Sequence, residues 1–440
     1  MNAKSRKLML ACWMAASLAA SAAPTWNAAC FAGGTEKDPL SYKVGDEIVF
    51  TFNVVDVEPE VNAADYSIKW DLWTDDGQTA SDKIAFTKDP ITVRTKLSKP
   101  GFVKIIASVL DKKGRKVRRQ EPRKNDASVE FFGGAAAEPE KLQGVPEPAD
   151  FDAFWAKQKA TLAAVPMTVE RKELKKTKNG TVYSVSIACA GPRPATGYLT
   201  IPAGAAQGKR YPAQLITHGY GTRPHQPPAD ARPDIIQINI NAHGQELGRD
   251  EQYYKDFFES IKCDGKGYAL AAKEHPDAAS ASTCFFAGMT WRLMRALEYV
   301  KSLPEWNGKD LSASGGSQGG LQTMWAASLE PQLTVADAGI PWCCDMGGNA
   351  TMGRIKKTWG VEWTSAMGYF DPINLCRRIP RTCKVTITRA GLGDYTCPPS
   401  GVAILYNNMT CPKQINWMQN STHGYLPPTK YRQTFTLKQP

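Results

Sequence analysis

The stretch Leu311-Ser312-Ala313-Ser314-Gly315-Gly316-Ser317-Gln318-Gly319-Gly320 decides the fold of this 440-residue chain. Leu311 to Ser314 has the character of a short strand, and a helical pattern opens at Gly320 and reaches Leu329. A chain that turns from strand to helix through Gly-x-Ser-x-Gly bends so tightly that side chains flanking the serine would collide. The glycines relieve that collision and leave Ser317 exposed above the sheet. Ser317 is the candidate nucleophile.

A serine hydroxyl is a weak nucleophile, so this reading demands a histidine to take its proton and a carboxylate to orient that histidine. The chain has five histidines. In folds with this elbow the chain order is serine, acid, histidine, and only His423 follows Ser317. It sits in the loop Asn420-Ser421-Thr422-His423-Gly424. Among the acids between them, Asp394 in Gly391-Leu392-Gly393-Asp394 directly follows the strand expected at Lys384 to Ala390. Asp337, Asp345, Glu362 and Asp371 lie between as well, without so clear a strand before them. Two backbone amides should face the developing oxyanion. One is that of Gln318, the residue after the nucleophile. The other is that of Tyr220, in the loop His218-Gly219-Tyr220-Gly221 after the third strand of this region; His218 reads as structural.

Outward from the elbow, strands are expected at Tyr183–Ala188, Gly197–Ile201, Pro212–Thr217 and Ile235–Ile240. Helices are expected at Thr290–Leu303, from its apolar positions Trp291, Met294, Leu297 and Val300, and at Val402–Asn407. Strand and helix alternation implies a mostly parallel sheet between helices. Asp150 reads as the cap of a helix that buries Phe151, Phe154, Trp155 and Leu162. Before it, the runs Ile48–Phe52, Tyr66–Trp70, Ile91–Val93 and Phe102–Ile106, separated by turn residues, predict a small all-β immunoglobulin-like sandwich over residues 38–133. The segment 134–148, small and proline-rich, reads as a linker, and 149–440 as the catalytic domain.

The chain is 42% hydrophobic and 22% charged, which excludes a disordered or collagen-like polypeptide. Lys4, Arg6 and Lys7 precede an apolar run from Leu8 to Ala20 and the small residues Ala20-Ser21-Ala22, the order of a secretory signal peptide over residues 1–22, cut between about 22 and 32. Its removal lowers the formal net charge from +11 to +8. No later segment reaches about 18 uninterrupted apolar residues, so no membrane span is expected. The basic run Lys112 to Lys124 reads as a solvated hairpin, not a nucleic-acid site, because no aromatic residues are interleaved for base stacking. An exporting compartment permits disulfides; Cys263 with Cys284, Cys376 with Cys383, and Cys397 with Cys411 could pair. No zinc spacing is present, and neither a metal nor a cofactor is expected.

Asp150-Phe151-Asp152 with Phe154-Trp155, His218-Gly219-Tyr220, the Gly315–Gly320 run, Tyr369-Phe370-Asp371, and Gly391-Leu392-Gly393-Asp394 continuing to Cys397-Pro398-Pro399-Ser400 occur in the order of one family. From Pro146 onward the chain resembles the acetyl xylan esterases and cephalosporin-C deacetylases. The resemblance implies an α/β-hydrolase fold and metal-free deacetylation of xylan or xylo-oligosaccharides. It places Ser317, Asp394 and His423 at the triad, and the Tyr220 and Gln318 amides in the oxyanion hole. It also implies a homo-oligomer, a ring-shaped hexamer, whose packing the N-terminal module could block. Two positions depart from the pattern. His243-Gly244-Gln245 stands where the family usually has Arg-Gly-Gln, and Gly424 where a glutamate often follows the catalytic histidine. The sequence therefore predicts a secreted or periplasmic serine esterase acting on an acetylated carbohydrate, with other α/β-hydrolase activities (thioesterase, lactonase, peptidase) or a weakly catalytic glycan-binding protein as alternatives.

Overall fold

Ten strands in the last two thirds of the chain hydrogen-bond into one sheet: β1 (Val169–Lys176), β2 (Gly180–Ile187), β3 (Ala195–Pro202), β4 (Tyr211–Ile216), β5 (Ile236–Ile240), β6 (Trp306–Gly316), β7 (Val335–Gly339), β8 (Lys384–Gly391), β9 (Lys413–Met418) and β10 (Thr434–Gln439). Their spatial order is β1-β2-β3-β5-β4-β6-β7-β8-β9-β10. The computed structural model describes residues 24–123, 126–263, 267–268, 281–358 and 363–439. The expected leader, residues 1–22, and Glu362 lie outside them.

From β5 through β9 every neighbouring pair is parallel, and antiparallel strands close both ends. The inner strands alternate: Leu215, Ile236, Ile238, Leu311, Ala313, Val385 and Ile387 are buried, while Gln214, Gln237, Ser312 and Thr386 between them stay partly exposed. Five helices matter for the site: α1 (Phe151–Ala163), α2 (Glu251–Ser260), α3 (Phe285–Ser302), α4 (Gln318–Leu329) and α5 (Pro399–Asn408). All twelve residues of α4 are buried, and it packs on β6 and β7. This is the order expected of an α/β-hydrolase.

Four strands escape the sequence reading. β1 is Val-Glu-Arg-Lys-Glu-Leu-Lys-Lys, an exposed edge whose charges erase any alternation and discourage pairing with another chain. β7 lies inside the sheet but offers only Ala336 and Ala338 as core residues. β9 buries Ile415 and Trp417, yet begins at Lys413, whose ammonium donates to the carbonyls of Tyr406 (2.6 Å) and Met409 (2.7 Å). β10 is polar and exposed. The helix at α1 forms with Asp150 at its N-cap position, but the Asp150 side chain makes no capping bond. Its carboxylate instead accepts the Tyr369 hydroxyl, while the Phe154 ring stacks on Tyr369 at 4.1 Å and Trp155 Nε1 donates to the Tyr369 carbonyl. Two of the motifs quoted above therefore form one contact.

Toward the N-terminus two antiparallel sheets share a second apolar core. One comprises Cys30–Thr35, Ile48–Val55 and Ile91–Thr95; the other Thr79–Ala85, Tyr66–Thr74, Gly101–Asp111 and Glu130–Ala137. Phe31, Phe50, Phe52, Leu72, Ile105 and Phe131 fill the space between them, with Phe52 and Phe131 stacked at 4.8 Å. Residues 134–137, read as the start of a linker, are instead the end of a strand: Ala135, Ala136 and Ala137 are fully buried, because their small side chains let the strand be covered on both faces. Within the basic run Lys112 pairs with Asp65, Arg115 with Asp111 and Lys116 with Glu130. Cys376, Cys383, Cys397 and Cys411 are buried free thiols, so neither the Cys376–Cys383 nor the Cys397–Cys411 disulfide is present. The Cys263 side chain lies outside the described residues. No helix among them is long and apolar enough to cross a membrane.

Candidate active site

The turn from β6 into α4 places Ser317 in a conformation that few non-glycine residues adopt, φ +60° and ψ −119°. Packing holds the strain. The Ser317 amide donates to Gly339 O (2.8 Å), and its carbonyl accepts the Trp342 amide (3.1 Å). A Cβ on Gly319 would lie 2.8 Å from Thr217 O, and one on Gly320 would lie 2.9 Å from Gly339 O. The glycine spacing is thus a record of how closely α4 approaches β4 and β7.

Ser317, Asp394 and His423 all lie just beyond the C-terminal ends of parallel strands, where loops of an open α/β sheet converge. His423 Nε2 is 2.9 Å from Ser317 Oγ, and His423 Nδ1 is 3.1 Å from Asp394 Oδ2. The Asp394 carboxylate is 1% exposed. Its other oxygen accepts the amides of Thr396 (3.0 Å) and Cys397 (3.1 Å), an Asx turn that fixes its direction. With Nδ1–H donated to this carboxylate, Nε2 is left as the acceptor of the serine hydroxyl. The histidine loop is tied by the Thr422 amide to Tyr425 O (3.1 Å) and the Tyr425 amide to Thr422 Oγ1 (3.2 Å). Arg389, from β8, donates to the carbonyls of Thr422 and His423.

A cavity of about 660 Å³ opens above Ser317 and His423, lined also by His218, Tyr220, Arg223, His225 and Asn239. The loop 218–221 crosses directly over the elbow, since a Cβ on Gly219 would lie 3.6 Å from Gly316 O and 4.0 Å from Ser317 Cβ. Tyr220 lines this cavity. Gln318 is fully buried, and its amide, the first of α4, has no carbonyl in the preceding turn to satisfy it. The loop is braced from behind. The Gly221 amide donates to Tyr268 Oη (2.7 Å), and the Tyr220 ring stacks on Tyr268 at 4.4 Å.

His243, at the position where the resemblance expects arginine, does not replace that cation. Burial, reinforced by nearby Arg292, pushes its imidazole down to about 3, so it is neutral; its Nε2–H donates to the Gly221 carbonyl at 3.3 Å. It supports the loop that carries Tyr220. His218, read as structural, borders the cavity and bonds Asn239 through Nε2, with the His225 ring 4.2 Å away. The sequence reading passed over Arg223, His225 and Asn239. The loop from Arg223 to Pro228 carries no periodicity, and Asn239 is one polar residue in a buried strand.

Among the described residues, Asp394, Cys397 and His423 form the group whose potential metal-ligand atoms lie within 4.8 Å of one another. Burial holds the Cys397 thiol well above its usual range, and its sulfur contacts the Ile340 carbonyl, so it is a poor metal ligand. Asp394 and His423 are already bonded to each other. A serine hydroxyl bonded to an imidazole whose other nitrogen meets a buried carboxylate, at the mouth of a cavity, is an arrangement that can carry out acyl transfer.

Residues 141–439 match the family model of the acetyl xylan esterases. The acetyl esterase Axe7A of Xylanibacter ruminicola is 30% identical over 305 residues, which is 66% of this chain and 67% of that protein. In fold, the chain is similar to acetyl xylan esterase 1 of Thermoanaerobacterium sp. JW/SL YS485, with a TM-score of 0.52 and 20% identity over 67% of this chain and 94% of that one. It is equally similar to the acetyl xylan esterase of Paenibacillus sp. R4, with a TM-score of 0.52 and 21% identity over 66% and 94%.

Proposed function

Because this chain belongs to the acetyl xylan esterase family and is a carboxylic ester hydrolase, we propose that Ser317, His423 and Asp394 are its catalytic triad and that it removes O-acetyl groups from xylan or xylo-oligosaccharides. Ser317 Oγ attacks the acetyl carbonyl while His423 Nε2 takes its proton. The Gln318 and Tyr220 amides hold the oxyanion. The tetrahedral intermediate expels the sugar oxygen, which receives the proton from His423, and Asp394 stabilises the imidazolium in between. Water, deprotonated by the same imidazole, then releases acetate and restores the serine.

The observation that carries the reading is the continuous path from Ser317 Oγ through His423 to Asp394, at 2.9 and 3.1 Å. Its test is acetate release from acetylated xylo-oligosaccharides by the wild type and by Ser317→Ala. The wild type is expected to release acetate, and the variant to lose ~1,000-fold or more while remaining folded. Equal rates would reject the nucleophile, and no release by the wild type would reject the substrate class.

The finer architecture belongs to the same proposal. The N-terminal unit is immunoglobulin-like, supported by its three- and four-stranded antiparallel sheets. It extends over residues 30–137, leaving a linker at 138–148 before the catalytic domain. Residues 1–22 direct export to the periplasm or the medium, which an N-terminal sequence of the mature protein tests. Assembly into a homo-oligomer is read by light scattering.

A further inference from the structure

We propose that the N-terminal β-domain is a working part of the esterase site, holding the loops that carry Asp394 and His423 in register; this rests on the triad reading above. The two loops meet one another, since the Gly393 amide donates to Ser421 O (3.0 Å) and the Leu392 amide to Met418 O (2.9 Å). The strand Glu130–Ala137 of the N-terminal domain lies across that junction.

Two consecutive side chains of the histidine loop complete the strand's open edge as a neighbouring strand would. Gln419 Oε1 accepts the Gly134 amide and its Nε2 donates to the Gly134 carbonyl, both at 2.9 Å. Asn420 Oδ1 accepts the Phe132 amide and its Nδ2 donates to the Phe31 carbonyl, again both at 2.9 Å. Neither side chain is more than 2% exposed. The acid loop is held by contact instead. A Cβ on Gly393 would lie 2.4 Å from Phe132 O, and one on Gly134 would lie 2.4 Å from Leu392 O, so the two backbones pass with no room for a side chain. Lys104 Nζ sits 4.4 Å over the Tyr395 ring, and the Phe132 and Tyr425 rings are 6.1 Å apart.

Residues 392, 393 and 395 thus touch the domain on either side of Asp394, and 419, 420 and 425 do so on either side of His423. The bond between Asp394 and His423 spans two loops that share this one support. A spacer would need none of these contacts. Gln419, Asn420 and Phe132 are positioning residues: they touch no reacting atom and act through His423 and Asp394.

The test uses Asn420→Gly and Gln419→Ala in the full chain. Glycine tolerates the positive φ of residue 420 (+53°), so Asn420→Gly removes the two bonds without adding backbone strain. Displacement of a catalytic group by about 1 Å costs on the order of 100-fold. The expected result is a kcat on 4-nitrophenyl acetate reduced ~10- to 100-fold with KM changed less than about twofold. Asn420→Asp keeps the acceptor for Phe132 but sets a buried carboxylate oxygen against the Phe31 carbonyl, so it should lose at least as much as Asn420→Gly. An activity-independent readout is the downfield imidazole proton of the Asp394–His423 bond in proton NMR, which should broaden or shift in both variants. If kcat and this resonance are both unchanged in the folded variants, the proposal is overturned. If the wild type hydrolyses no acetyl ester, the functional reading fails, and the resonance alone still decides the positioning role.

Discussion

Replacing Gly319 by alanine measures how tightly the nucleophile elbow is coupled to the oxyanion loop. The new Cβ would lie 2.8 Å from Thr217 O, 3.0 Å from Thr217 C and 3.1 Å from His218 C. All three are backbone atoms, so no side chain can swing aside. Ordinary contact begins at 3.4 Å, and the start of α4 and the end of β4 must therefore separate by about 0.6 Å. That movement shifts the Gln318 amide relative to the loop that carries Tyr220, the pair proposed to hold the oxyanion. Losing one such donor costs ~100- to 1,000-fold in kcat, and overpacking of this kind destabilises by ~1–3 kcal/mol. The expected outcome on 4-nitrophenyl acetate is a kcat lowered at least tenfold, with a melting temperature lowered by a few degrees. Gly316→Ala is the internal control, since its Cβ would meet nothing nearer than Gly339 O at 3.5 Å. It should keep kcat within about threefold. A Gly319→Ala enzyme with wild-type kcat would refute the claimed coupling.

Burial holds His243 and His225 each at about 3, so the fold favours their neutral forms. A histidine whose folded value is depressed contributes stability that is lost as the pH falls below its unfolded value of about 6.5. Melting temperature should therefore decline from pH 7 toward pH 4, and His243→Gln, which can still donate to Gly221 O, should flatten that slope; an unchanged slope contradicts the assignment. Non-reducing peptide mass mapping should recover Cys376, Cys383, Cys397 and Cys411 as thiols, and a disulfide among them would contradict the packing described. Trp325→Phe, which removes the 2.8 Å bond to the Phe370 carbonyl in the core behind the elbow, should cost about 1–3 kcal/mol, read by denaturant unfolding.

The parts of the site written in local chemistry were legible in the sequence. A glycine-flanked serine between strand and helix, a single histidine after it, and an acid directly after a strand are each set by a short segment, and the structure brings Ser317, Asp394 and His423 together. What escaped depended on distant partners. The charges of β1 hide an edge strand that needs no apolar face. Ala336 and Ala338 make β7 a central strand only because bulkier neighbours pack over it. His243 reads as a poor arginine until its surroundings show a neutral donor behind the oxyanion loop. Nothing near Gln419 or Asn420 marks them as the seat of a domain some 285 residues earlier in the chain. Gly134 to Ala137 suggested a linker because small residues serve equally for flexibility and for close backbone approach.

The central claim is that acetate leaves through an ester on Ser317. Rapid quenching of the enzyme with 4-nitrophenyl acetate, followed by peptide mass spectrometry, tests it most directly. One acetyl group is expected on the peptide containing Ser317, and none in Ser317→Ala. Acetylation at another residue, or full turnover by Ser317→Ala, would contradict it.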